Sequence, residues 1–264
     1  MALIYISDKN WKKYEHDIAA IEATSEYRLG QDRFTIDHGV DYLEFFKRLG
    51  TVRFAGWIEK NQVLAIAAGV LRKVPIGERN SMAWYMCALK VHPQQRGKHL
   101  PLRLLTRALP LNYLRCSRGY AVSMDTEGTK NRVAKLLAQF RWLRFANEGR
   151  LFIWSLNAQD MTKALPVLTR HRGPVSFLSL AGIKDIVLKS TGQPMQLLHA
   201  QFGPLGVAGR DSILGGATHM FCAPANDPLI LDLDAEGLNP SASATIISHR
   251  MHGTDWRWIL TSDI

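Results

Sequence analysis

The sequence is poor in most of the features that assign a protein to a class at first reading. Its 264 residues include three cysteines, Cys87, Cys116 and Cys222. None of them forms a Cys-x-x-Cys pair, so the spacing offers neither a disulfide framework nor a zinc ribbon. A reducing cytoplasm is the simplest compartment to expect. No apolar run approaches the roughly 20 residues that a membrane helix needs. The opening Met-Ala-Leu-Ile-Tyr-Ile-Ser-Asp-Lys-Asn-Trp turns polar too soon for a signal peptide. No Gly-x-Gly-x-x-Gly follows a strand pattern, which argues against a dinucleotide fold, and no fixed period repeats. His249-x-x-His252 reads as a pair on a helix surface rather than as metal ligands. Acid is also missing from one long span: between Arg79 and Met124 there is no Asp or Glu.

That span holds eight Lys and Arg residues, against a net charge of +10 for the chain, so the remainder is nearly balanced. Positive charge concentrated on one supersecondary unit points to a polyanionic ligand. The unit has three parts. Met82 to Val91 is a continuous apolar run with aromatic and β-branched members, as in a buried strand. Pro93 stops it, and Gln94 to Lys98 forms a basic turn containing Gly97. Leu100, Leu102, Leu104 and Leu105 then open a helix, with Pro101 in the first turn, where a missing N–H is tolerated. A strand, a basic turn and a helix N-terminus together aim amide N–H groups and the positive end of the helix dipole at one spot.

The rest of the first half reads in order. Leu3 to Ile6 is a strand and about Asn10 to Ala23 a helix. Arg28 to His38 reads as loop, Asp41 to Leu49 as a short helix ended by Gly50, and Val52 to Ile58 and Val63 to Leu71 as paired strands. Val74 to Asn80 reads as loop. Pro110 should end or kink the helix, with a second piece over Leu111 to Ser117. Tyr120 to Asp125 is a strand, a helix starts at Thr129 or Asn131 and runs through Phe140, and Leu151 to Leu156 is another strand. Beyond it, helices are expected over Asp160 to Thr169, Pro174 to Lys189 and near Ser241 to Met251. Strands are expected over Met195 to Phe202, His219 to Cys222, Leu229 to Leu233 and Asp255 to Thr261. With 47% hydrophobic residues the chain can fill a core, and its length allows one large domain or two small ones.

Val91-x-Pro93-x-x-Arg96-Gly97-Lys98-x-Leu100 resembles the acyl-CoA pyrophosphate loop of the GNAT N-acetyltransferase superfamily, whose pattern is Arg/Gln-x-x-Gly-x-Gly/Ala. It falls on Arg96-Gly97-Lys98-His99-Leu100-Pro101. His99 stands where the family has Gly and adds bulk; Pro101 stands where it has Gly or Ala and removes a donor. The element order over residues 1–157 is also similar to the GNAT order. Asn131-x-x-Ala134-x-x-Leu137, followed by Phe140 and Trp142, resembles the segment that flanks the pantetheine arm. The resemblance implies an α+β fold, a mixed central sheet flanked by helices, with residues 1–157 as the acyl-CoA-binding domain. Residues 158–264 lie outside the resemblance and are expected to form a second, smaller α/β lobe, either a degenerate GNAT-like unit or a lid over the acceptor site.

The resemblance further implies transfer of an acetyl group from acetyl-CoA to a primary amine by direct attack. Leu89 and Val91 would offer backbone groups to pantetheine. Arg96, Gly97, Lys98, His99, Leu100 and Leu102 would cradle the pyrophosphate, and Asn131 would flank the arm. The tyrosine that often serves as acid falls at Ala138, and the central-strand carboxylate is missing. Asp125, Glu127 and Tyr85 are the candidates for catalytic acid and base, with Cys87, His92 and His99 behind them. The acceptor would be a small-molecule or peptide amine, a homodimer stays open, and no membrane partner is expected. Two other readings remain: a non-catalytic acyl-CoA-binding or regulatory module, and, less favoured, a nucleic-acid-binding protein using the basic span.

Overall fold

The structure, a computed structural model, describes residues 2–29, 32–126, 131–210 and 212–264. The first half runs β1 (Ala2–Ile6), α1 (Trp11–Ala23), β2 (Tyr27–Leu29), β3 (Asp32–Asp37), α2 (Glu44–Leu49), β4 (Thr51–Glu59), β5 (Gln62–Ile76), β6 (Arg79–Val91), α3 (Leu100–Arg115), β7 (Gly119–Met124), α4 (Arg132–Leu137) and β8 (Phe145–Leu156). The second half adds α5 (Ala158–Arg172), β9 (Ser176–Leu178), β10 (Asp185–Leu188), β11 (Leu197–Gln201), β12 (Thr218–Pro224), α6 (Leu229–Ala235) and β13 (Ala242–His249).

Ten strands make one mixed sheet in the order β1-β4-β5-β6-β7-β13-β8-β12-β11-β9. The expected mixed sheet flanked by helices is what the chain forms. The two halves share this sheet. β13, from the far end of the chain, lies between β7 and β8 and pairs antiparallel with both. The expected boundary at residue 157 falls in the turn between β8 and α5, and the sheet crosses it unbroken. A second, three-stranded sheet, β10-β3-β2, also joins the halves, because β10 pairs with β3 from Asp185↔Asp37 to Leu188↔Phe34.

Helices cover both faces, which is why β5 reads as an uninterrupted apolar run and is buried from Val63 to Ala68. On one face, Ile18 and Ile21 of α1 and Phe45 and Phe46 of α2 pack over Phe54 and Val70. On the other, Leu104 and Leu105 of α3 and Leu137 of α4 pack over Trp57, Ala65 and Ala67. A further core joins Met161 and Leu168 of α5 and Leu229 and Leu233 of α6 to Trp154 of β8 and Phe221 of β12, whose rings stack 5.1 Å apart.

Several expected elements change type. Pro174 to Lys189 is not a helix but β9 and β10, and the segment near Ser241 to Met251 is β13. In both, β-branched residues on a buried surface outweigh a helix-like apolar spacing. Leu229 to Leu233 is the start of α6 rather than a strand; the Asp227 carboxylate accepts from the Leu229 N–H and supplies a start signal. Asp255 to Thr261 is not a strand: Trp256–Trp258 and Thr261–Asp263 are 3-10 turns. The expected loop at Arg28 to His38 contains β2 and β3. The loop at Val74 to Asn80 shrinks to the turn between β5 and β6, which pair out to Ile76↔Arg79. α3 continues through Pro110 to Arg115 as one helix. His249 is buried at the end of β13, between the rings of Tyr113 and Phe145, so the His249/His252 pair lies on no helix.

Candidate active site

β6 and β7 run parallel but pair only at Trp84↔Gly119 and Tyr85↔Tyr120. Beyond those residues they part. β7 stays with β13 along its whole length, from His249↔Gly119 to Ala244↔Met124, while β6 stays with β5. A β-bulge in β6 re-aims that strand where the two separate. Ile66 pairs with Lys90 and Ala68 with Cys87, so Ala88 and Leu89 together oppose Ala67. Ala88 sits at φ +50°, a left-handed conformation that an alanine adopts at a cost of about 1–2 kcal/mol. The facing edges of Met86–Val91 and Ala121–Met124 therefore have main-chain groups free of strand pairing and turned to an opening.

The basic turn lies at the end of β6. Pro93–Gln95 makes a single 3-10 turn, Gly97 has φ +81° and His99 φ +56°, and α3 starts at Leu100. His99 thus takes the backbone conformation that a glycine would favour, and its side chain is exposed. Among the described residues, the amides of Gly97, His99, Leu100 and Leu102 meet no acceptor. A Cβ built on Gly97 would have nothing within 4 Å, so the ground above the turn is open. The Arg96 guanidinium donates to the Thr24 carbonyl at 3.2 Å and ties the turn to the end of α1.

A cavity of about 1030 Å³ passes through the sheet at this opening. On the α3/α4 side its walls include Arg96, Gly97, Pro101, Arg132 and Lys135. On the α1/α2 side they include Phe34, His38, Phe45, Phe46, Lys184 and His199. The three-stranded sheet and the end of the chain close this second compartment through Ile186, Thr261 and Ile264.

Of the residues expected from sequence, Leu89, Val91, Arg96, Gly97 and Tyr85 line the cavity. Lys98, His99, Leu100 and Leu102 are not in the cavity wall: Lys98 and His99 are exposed, Leu100, with 2% exposure, has its side chain in the core, and the amides of His99, Leu100 and Leu102 are left without an acceptor. Asn131 caps α4: its carbonyl oxygen accepts from Val133 and Ala134, and its amide donates to the Ser123 and Met124 carbonyls and to Asp125. Asp125 takes hydrogen bonds from Asn131, Ser243 and Thr245, which lock β7, α4 and β13 together, and it lies outside the cavity wall. Glu127 lies outside the described residues. Tyr85 is stacked on Tyr120 at 5.0 Å, and burial, with Cys87 beside it, raises its phenol well above the ordinary range. Cys87 also lines the cavity, its thiol pushed up to about 12 by burial.

Three groups in the wall were not singled out from sequence. His38, 7% exposed, leaves Nδ1 without a hydrogen-bond partner. Burial and then the charge of Lys184 depress it to about 2, so it is a neutral imidazole. His199 donates to or accepts from Thr261 Oγ1 at 3.0 Å and is depressed to about 3 for the same reasons. Lys184 lies 4.5 Å from the Phe45 ring centroid and donates to the Ile264 main-chain oxygen. Burial lowers it to about 8. No local pattern marks these residues, because a loop before α2, a sheet crossing and the second half bring them together. Lys90 is paired with Glu22, whose carboxylate also accepts from the Tyr42 hydroxyl.

Comparison with protein-family models and with curated protein sequences finds no match. Solved structures do match. One is a GCN5-related N-acetyltransferase from Anabaena variabilis ATCC 29413, with a TM-score of 0.52 and 10% identity, covering 94% of this chain and 72% of that one. Another is a tandem GNAT protein from the clavulanic acid biosynthesis pathway, with a TM-score of 0.53 and 10% identity, covering 96% of this chain and 99% of that one. At that identity the likeness speaks for the fold alone. The chain has the GNAT fold, in a two-lobed form.

Proposed function

We propose that the protein is an acyl-CoA-dependent N-acyltransferase that moves an acetyl group from acetyl-CoA to a primary amine by direct attack. One observation carries the reading: a through-sheet cavity opens between two splayed strands directly beside an anion-ready turn. The residues present suit acetyl-CoA. The free amides at Gly97, His99, Leu100 and Leu102, backed by the dipole of the 16-residue α3, suit a pyrophosphate. Arg96 and Arg132 supply charge at the same end. The unpaired edges of Met86–Val91 and Ala121–Met124 suit the amides of a pantetheine arm, as a sheet edge suits an added strand. When bound, acetyl-CoA supplies the thioester carbonyl and a thiolate leaving group.

The protein's own groups then do three things. A main-chain N–H at the bulge, around Ala88 and Leu89, where the register shifts, would steady developing negative charge; one such donor is worth about 3–4 kcal/mol. Tyr85, held protonated by burial, can donate a hydrogen bond at the closed end of the splay. His38, neutral and unpartnered, can accept a hydrogen bond from the amine. Among the described wall residues the single carboxylate is Glu26, exposed at the rim. With no strong base among them, the rate rests on proximity, and the amine arrives neutral, so turnover climbs with pH toward the pKa of the amine. Residues 158–264 act in this reading as the wall of the acceptor compartment, through Lys184, His199 and Thr261.

The missing interior carboxylate also favours a second reading, a module that binds acyl-CoA without turnover. Thiol release from acetyl-CoA, followed across a panel of amines, separates the two. Amine-dependent release supports the enzyme; binding with no release under any amine supports the module.

A further inference from the structure

The compartment on the α1/α2 side is walled by two sheets and a helix. Phe34 and Ile36 alternate along β3, His38 follows at the same spacing, and all three line the cavity. On the paired strands, Tyr27 stands opposite Phe34 with the two rings stacked at 5.3 Å, and Ile186 stands opposite Ile36. These two line the cavity as well. One face of the three-stranded sheet is therefore an apolar roof. Phe34 and Ile186 pack with Leu197 of β11 and Met220 of β12, so the roof rests on the ten-stranded sheet. Phe45 and Phe46 of α2 close the side, and the His38 ring lies against theirs at 5.6 and 5.5 Å.

The charges that reach this compartment are already matched within the protein. Lys90 is bonded to Glu22, Lys184 to the Ile264 oxygen, and Glu26 at the rim to Arg33 and Lys189. His199 is bonded to Thr261 at 3.0 Å. A substrate that brought a second charge would lose its water on entering and would meet no free counter-charge among the described residues of this wall. An uncharged apolar body gains from burial, and a ring gains further from edge and face contacts with aromatic walls.

The arm of acetyl-CoA, placed between β6 and β7, fills the opening. The amine then has to approach from this compartment, and its body lies against this lining. A volume of about 1030 Å³ stands at the upper end for sites that hold a drug-sized ligand, which leaves room for a ring beside the arm.

We infer that the acceptor is a primary amine on an uncharged aromatic body, its ring seated between the β3/β10 face and α2. This rests on the acyltransferase reading and narrows it from amines in general to one class. Ile36, half-buried between Phe34 and His38 on the roof, is a specificity-determining residue; it takes no part in the bond changes.

The test follows initial rates of thiol release from acetyl-CoA with phenylethylamine, cyclohexylethylamine, propylamine, free phenylalanine and a polyamine. Wild type is compared with Ile36→Asn and Ile36→Leu, and the thermal midpoint of each is read with and without acetyl-CoA. In kcat/KM, phenylethylamine should exceed propylamine by roughly a hundredfold and cyclohexylethylamine by about threefold or more. Phenylalanine and the polyamine should fall at least about tenfold below it. Ile36→Asn should raise the KM for phenylethylamine roughly tenfold, Ile36→Leu should behave as wild type, and all three proteins should keep the same stabilisation by acetyl-CoA. If Ile36→Asn does not fold, the order of the amines on wild type decides alone. Equal or faster turnover of propylamine, phenylalanine or the polyamine overturns the inference and leaves the acyltransferase reading standing, and so does an unchanged KM in folded Ile36→Asn. Octanoyl-CoA outpacing acetyl-CoA with every amine overturns it too, because the compartment would then hold the acyl chain. Thiol release with none of the amines, or no stabilisation of wild type by acetyl-CoA, brings down the acyltransferase reading and this inference with it.

Discussion

The bulge at Ala88 gives the account a sharp internal check, because it reverses the usual sign of a substitution. In an ordinary strand, Ala→Gly costs about 0.5–1 kcal/mol in backbone freedom and about 0.8 kcal/mol for a buried methyl. Ala83, on the same strand, is fully buried and has an unremarkable φ, so Ala83→Gly should lose about 1.5 kcal/mol. At Ala88 the φ of +50° carries a strain of about 1–2 kcal/mol that glycine does not pay. Ala88→Gly should therefore be neutral or slightly stabilising. For a chain of this size 1 kcal/mol is about 2–4 °C, so the two variants should differ by about 3–6 °C in thermal midpoint. Differential scanning calorimetry of wild type and both variants reads this directly. An Ala88→Gly midpoint as low as that of Ala83→Gly would refute the left-handed bulge, and with it the explanation of why β6 and β7 part.

Asp125 supplies a second check. Its carboxylate serves Asn131, Ser243 and Thr245, so Asp125→Ala should lower the midpoint by about 2–3 kcal/mol's worth, as half-buried donors lose their acceptor, while the stabilisation by acetyl-CoA stays as in wild type. Loss of that stabilisation, or no change in midpoint, would count against a structural role. pH supplies a third. His199 has its folded-state pKa lowered to about 3, below the ordinary 6.5 of the unfolded chain, so the unfolded state takes up the proton first as pH falls. Stability is then full above about pH 6.5 and declines below it, by up to about 1.4 kcal/mol per pH unit for each such histidine. His199→Gln should flatten the fall in midpoint between pH 7 and 5; equal slopes in the two proteins would contradict the buried neutral imidazole. A fourth concerns the opening itself. Cys87→Phe fills the splay from the cavity wall and should abolish acetyl-CoA binding while the fold is retained, and an unchanged affinity would mean that the arm does not pass there.

The strand, turn and helix from Met82 to Leu105 were legible because each boundary has a local cause: an apolar run, Pro93, Gly97 and Pro101. Much of the first half followed for the same reason, but Arg28 to His38 and Val74 to Asn80 hold strands rather than loops and α3 runs on through Pro110. The second half was much less legible. Pro174 to Lys189 and Ser241 to Met251 have apolar spacings that suit a helix, but sheet neighbours far away in the chain make them strands. β13 is stable because β7 and β8 leave a gap that it fills, and no window of residues contains that fact. The same limit governs the site. The basic turn between β6 and α3 is local, and its boundaries could be read. Asp125 sits, as expected, at the end of a strand, yet its hydroxyl partners lie some 120 residues on, and they give it a structural task. Lys184, His38 and His199 come from three separate segments and meet only in the folded chain. The bulge was invisible because an alanine, not a glycine, occupies its left-handed position.

The central claim is that acetyl-CoA lies across the basic turn with its arm in the splay. Its most direct test is the thermal midpoint of the intact protein with and without acetyl-CoA, read beside Arg96→Ala. At about 100 times the dissociation constant the ligand should add roughly 2.7 kcal/mol, or about 5–11 °C in a chain of this size, and Arg96→Ala should need more ligand for the same gain. No shift at millimolar acetyl-CoA, or an equal shift in Arg96→Ala at every concentration, would contradict it.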